Sequence, residues 1–171
     1  MKKITFLLVL VATLFVTMNV SAQGKNDKPW KMVNMYEVEQ YGGNTDYDND
    51  TFTASFTGNY NRWFDLPGVK GDLTEHAKIT FEILKSNCVM KVCLLYKNAD
   101  GKTQQVTCQT FYGSMGKEIT AKKLIKCDLT DGGKITDEML KNAVAIRVAM
   151  AKPSTDKGEP WSIQFGNVCV Y

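Results

Sequence analysis

The side chains best suited to meeting a ligand are rings and polar groups rather than a catalytic set. Tyr60, Arg62, Tyr112, Glu159 and Trp161 combine aromatic surfaces with a guanidinium and a carboxylate. A sugar ring has an apolar C–H face and a rim of hydroxyls. Proteins hold it by stacking a ring on that face and hydrogen-bonding the rim. Asn59, Asn61, Gln109 and Ser114 add amide and hydroxyl groups near the same positions. Trp63 is the weaker platform: in Trp63-Phe64-Asp65-Leu66 adjacent rings of a strand point to opposite faces, and one of the two must enter the core.

Asp46, Asp48 and Asp50 alternate within a loop-like segment rich in Gly, Asn and Asp, Gly42 to Asp50. Ca²⁺ prefers several oxygens around one point, so these three are the candidate ligands for a structural calcium. They are not an EF-hand: Thr51 and Thr57 stand where that loop requires Gly and Glu. Catalytic signatures are absent. The sequence contains no glycine-rich phosphate cradle, serine elbow or HExxH. The lone His76 beside Glu75 reads as a surface or strand-edge residue. Glu159 with Asp46 or Asp48 could supply the carboxylates of a glycosidase, but no motif marks them. A small hydrolase is therefore the third reading, behind a glycan binder and a structural or protein-interaction module of the cell envelope.

Lys2 and Lys3, the apolar run Ile4 to Val16, and Val20-Ser21-Ala22 before Gln23 form the three zones of a cleavable Sec signal peptide. Residues 1–22 are expected to be removed, leaving no membrane span and an exported chain, whether periplasmic, cell-surface or extracellular. Residues 23–50 read as a polar tail and lead-in, and 51–171 as the folded domain. Loss of the two lysines brings the formal charge of +3 closer to neutrality. The later lysines Lys117, Lys122, Lys123 and Lys126 alternate with apolar residues, as on the wet face of a strand. Nucleic acid is thus not an expected partner; a polysaccharide or oligosaccharide is.

Five cysteines, Cys88, Cys93, Cys108, Cys127 and Cys169, follow no CxxC or zinc spacing. Each sits inside an apolar strand pattern. Buried thiols and one disulfide are equally consistent with that placement, because export permits oxidation.

The elements that must position these groups are strands. Phe52, Ala54 and Phe56 alternate with threonines and serine, and Ala77, Ile79, Phe81 and Ile83 with Lys78, Thr80 and Glu82. Cys88 to Tyr96 is almost continuously apolar, as in a central strand. Asn98-Ala99-Asp100-Gly101 turns it into a hairpin with Lys102–Tyr112. Ile125, Cys127 and Leu129 mark another strand, and Thr136-Asp137-Glu138 caps a helical turn. Val144, Ile146, Val148 and Met150 and then Trp161 to Tyr171 complete the set; Trp30 to Tyr41 holds a short strand. The prediction is an all-β, antiparallel two-sheet β-sandwich of jelly-roll type. If successive strands reverse direction, Gly58–Asn61, Ser86–Asn87, Gly113–Gly116 and Ala151–Pro160 share one end. Tyr60, Arg62, Tyr112, Glu159 and Trp161 then gather in a loop-end cleft. Pro67–Glu75, the Asp100 turn and Asp131–Thr136 share the other end.

The run Asn59-Tyr60-Asn61-Arg62-Trp63-Phe64-Asp65-Leu66-Pro67-Gly68, followed by Gly71-Asp72-Leu73-Thr74, carries a resemblance. So do the Tyr96…Asp100-Gly101-Lys102 hairpin, Ala145-Ile146-Arg147-Val148-Ala149, and Ile163-Gln164-Phe165-Gly166-Asn167-Val168. From about Phe52 to Tyr171 the chain resembles galactose-binding-domain-like β-sandwich modules of secreted bacterial glycan-processing proteins. The resemblance implies noncatalytic carbohydrate binding and, often, a structural calcium. It supplies no ligand residues.

Overall fold

The structure, a computed structural model, describes residues 28–38, 44–48, 51–57, 62–112, 119–152 and 160–171. Ten strands and one short helix are found among them: β1 Lys31–Met32, β2 Asn44–Asp48, β3 Thr51–Phe56, β4 Arg62–Asp65, β5 Lys78–Ser86, β6 Val89–Lys97, β7 Thr103–Tyr112, β8 Lys123–Asp128, α1 Asp137–Lys141, β9 Ala143–Ala151 and β10 Trp161–Val170. One sheet runs β2-β3-β10-β5-β8, with β1 also paired to β10; the other runs β4-β9-β6-β7. Every pairing is antiparallel. From β3 to β10 the chain passes repeatedly between the sheets, which gives the jelly-roll sandwich that the period-two pattern predicts.

The core forms where the apolar face of each strand meets the other sheet. Phe52, Ala54 and Phe56 of β3 are buried while their neighbours are half-exposed. Phe64 of β4 bridges the layers: its ring lies 5.2 Å from Phe52 and 5.6 Å from Phe165, both edge-on. Such contacts add about 1 kcal/mol each beyond area burial. In the β6–β7 turn Gly101 takes φ 73°, and Asn98 Oδ1 accepts from the amides of Asp100 and Lys102 at 3.1 and 2.9 Å. Thr136 accepts from the Met139 amide and so caps α1.

One reading changes. The segment read as a loop forms, over Asn44–Asp48, an edge strand paired residue by residue with β3. An edge strand needs only backbone partners on one side, so a polar, Asp-rich sequence can serve. The sheet also takes in Lys31–Met32, the short strand expected within Trp30 to Tyr41. No disulfide forms: all five cysteines are free and buried. Burial pushes the Cys88 thiol up to about 11, and those of Cys108 and Cys127 to about 12. Thiols so protonated are small hydrophobes, not nucleophiles.

Candidate functional site

The sorting of chain ends follows the predicted scheme. β3 ends beside the start of β10, where Phe56 pairs with Trp161, and β5 ends beside Ile163 at Ser86. In the other sheet the start of β4, the end of β9, the start of β6 and the end of β7 align through Arg62–Met150, Val89–Ala151 and Val89–Tyr112. Asn87 locks this edge. Its side chain donates to Pro160 O at 3.1 Å and accepts from the Ser162 amide at 2.7 Å.

The residues expected there fare differently. Tyr60, Glu159 and Asp50 lie outside the described residues. Tyr112 ends β7 and is placed by its backbone alone. Arg62 opens β4, half-buried, opposite Met150 and so on the core side of its sheet. Trp161 is the clear correction. It is only 4 % exposed and belongs to the core, so it offers no open ring for stacking. Trp161 lies at the inward phase of β10, two residues before Ile163 and four before Phe165, and the same alternation that buries them buries it. Asp46 and Asp48 lie along β2, where an extended backbone spreads residues in a line rather than wrapping them about a cation. Among the described residues no group of three His, Cys, Asp or Glu could hold a metal. His76 stacks on Trp30, centroids 4.2 Å apart and planes within 10°.

The residue that sequence reasoning set aside is Trp63. Phe64 takes the core, which leaves Trp63 half-buried on the outer face of the four-stranded sheet. Residues paired across antiparallel strands share a face, so the register spells out that surface. Trp63, Ala149, Lys91 and Thr110 form one row across all four strands; Asp65, Arg147, Cys93 and Thr107 form the next. Val89, Cys93 and Leu95 are buried yet stand apart from the core cluster, as the floor of this outer face. Alanines at 145 and 149 keep the space over β9 low.

Arg147 organises the face. Its Nε donates to Asp65 Oδ1 at 2.7 Å, its Nη2 to Asp65 Oδ2 at 3.0 Å, and its Nη1 to Gln105 Oε1 at 3.4 Å. The guanidinium carbon sits 5.2 Å from the Trp63 ring centre, within cation–π range. Toward the far end of the sheet, Asp65 and Ala145 lead into a depression of about 320 Å³ lined also by residues 66–70 and Glu37. The result is a flat ring beside fixed hydrogen-bonding groups whose opposite charges cancel. Such a surface suits an uncharged ligand with an apolar face and many hydroxyls. One clue lay in the sequence: Arg147 is the lone cation within the alternating β9 pattern, on the phase opposite Ile146 and Val148.

Among the described residues no helix is long and apolar enough to cross a membrane. No family model and no curated protein matches the sequence. Solved structures do match in fold. The family 30 carbohydrate-binding module of a cellulosomal cellulase of Clostridium thermocellum is similar with a TM-score of 0.53 at 18 % identity, over 86 % of this chain and 94 % of that one. A second family 30 carbohydrate-binding module gives 0.50 at 17 % identity, over 86 % and 96 %. The chain therefore has the β-sandwich fold of carbohydrate-binding modules.

Proposed function

We propose that the protein is an exported, noncatalytic carbohydrate-binding β-sandwich whose glycan lies across the outer face of the four-stranded sheet. The observation that carries this is the Trp63–Arg147–Asp65 arrangement. A sugar ring stacks on the indole, while Arg147, Asp65 and Lys91 exchange hydrogen bonds with its hydroxyls. Tyr112, at the end of β7, is the candidate for extending the site to further rings of an oligosaccharide, with Tyr60 and Glu159 kept as candidates from the sequence. The fold neighbours include a module of a cellulosomal cellulase, which makes β-linked glucans the first polymers to try.

No catalytic group is assigned in this role. Asp65 on the face is held in a charge-neutral pair with Arg147, and burial pushes the thiols of Cys88, Cys108, Cys127 and Cys169 above their usual range. Affinity electrophoresis against a panel of soluble polysaccharides tests the reading. The wild type is retarded by at least one polymer, and Trp63→Ala abolishes most of the retardation while keeping the folded far-UV spectrum. Equal mobility of both proteins in every polymer refutes it.

A further inference from the structure

The geometry points to a second binding site on the opposite side of the sandwich, for an uncharged polyhydroxy ring such as a single sugar residue. This site does not depend on the Trp63 face. It is a cleft of about 610 Å³ on the outer face of the six-stranded sheet, lined by Met32, Tyr36, Glu82, Leu84, Lys122 and Asn167, among others. That volume falls within the roughly 300–1,000 Å³ typical of small-molecule sites.

A backbone irregularity creates it. The register between β10 and β5 shifts between Phe165, which pairs with Ile83, and Val168, which pairs with Phe81, so Gly166 and Asn167 together oppose Glu82. A bulge of this kind leaves an amide without a ladder partner. Glu82, 7 % exposed, fills the gap: its Oε2 accepts from the Asn167 amide at 3.2 Å and from Asn167 Nδ2 at 3.1 Å. Gly166 permits this, because a Cβ there would stand 2.8 Å from Glu82 Oε2. The other carboxylate oxygen pairs with Lys122, an exposed side chain. Carboxylate, ammonium and amide thus converge on the cleft with their charges already balanced. A free ion gains little there, whereas a hydroxyl can both donate and accept.

Repair of the bulge explains Glu82 but not the apolar rim. Asn34 caps a single 3-10 turn, Met35–Glu37, by accepting from the Tyr36 amide at 3.2 Å. Met35 anchors that turn in the core and thereby presents Tyr36 to the cleft, 67 % exposed beside Met32 at 62 %. A fixed aromatic and a thioether facing a balanced polar cluster reproduce, by separate residues, the recognition chemistry of a sugar ring.

Titration of the intact ¹⁵N-labelled protein with the methyl glycosides of glucose, galactose, mannose and xylose, to about 10 mM, tests this, since a single ring is expected to bind in the millimolar range. Saturable shifts are expected at the amides of Met35, Tyr36, Gly166 and Asn167 with at least one glycoside. Tyr36→Ala should weaken binding about tenfold, Tyr36→Phe much less, and Lys126→Ala, on the same sheet but outside the cleft, not at all. Shifts confined to the Trp63 face, no shift with any glycoside, or a Tyr36→Ala curve superimposable on wild type overturns the proposal.

Discussion

Arg147 and Asp65 stand opposite each other across the β4–β9 pair and close a two-point contact at 2.7 and 3.0 Å. That contact fixes the guanidinium over Trp63. Both side chains are mostly shielded, at 21 % and 29 % exposure, so the pair is stiffer than an ordinary surface ion pair. Asp65→Ala frees Arg147 to leave the ring. The expected outcome is a loss of about 1 kcal/mol in stability, with about tenfold weaker glycan retention. Urea unfolding and affinity electrophoresis on the same variant separate the two effects. Retention that falls no further than the folded fraction would show the pair to be purely structural.

Trp63 and Phe64 are neighbours with opposite duties. Phe64→Ala should destabilise by about 3–5 kcal/mol, because it opens a cavity between Phe52 and Phe165. Trp63→Ala should cost far less in stability yet remove about 2 kcal/mol of binding, roughly thirtyfold. Paired denaturation and binding measurements would reverse the assignment of the two faces if the larger stability loss came from Trp63.

The thiols predict a pH dependence with a definite sign. Folding raises Cys88 from 9.0 to about 11 and Cys108 and Cys127 to about 12, chiefly by desolvation. Above pH 9 the unfolded chain loses these protons first and binds fewer than the native state, so stability falls as pH rises. It should be flat from pH 7 to 8.5 on this account and decline progressively from about pH 9 to 11, as followed by urea midpoints. An aromatic disulfide reagent at pH 8 should find the native thiols unreactive and all five accessible in guanidinium. Rapid labelling of the native protein would contradict the buried placement.

Gly166→Ala tests the β10 bulge. Its Cβ would press on the Glu82 carboxylate, forcing it off the Asn167 amide. A loss of about 1–3 kcal/mol is expected. Ala at neighbouring Gln164, whose side chain is half-exposed, should be nearly neutral. Equal stability of both variants would mean that the carboxylate has room to move.

Local patterning carried most of the architecture. Alternation placed β3, β5, β8 and β9, the Asn98–Gly101 turn fixed the β6–β7 hairpin, and Thr136 marked the start of α1. Direction reversal alone was enough to sort the chain ends. These features depend on residues a few positions apart, so they are written along the chain. The polar edge strand β2 was not readable, because among the described residues its sheet partner is the backbone of β3 alone.

The binding face depended on contacts between distant segments. Period two says that Trp63 and Phe64 oppose each other, but not which of them meets Phe52 and Phe165 from the other sheet. Likewise an aromatic at the edge of a strand, such as Trp161, can cover a pocket or plug the core, and the inward phase of β10 chose the core. The rows Trp63–Lys91 and Asp65–Arg147 unite β4, β9 and β6, and the Glu82 cleft joins β1, β5 and β10. Cross-strand register creates both surfaces, and register is a property of the packed sheets rather than of any one strand.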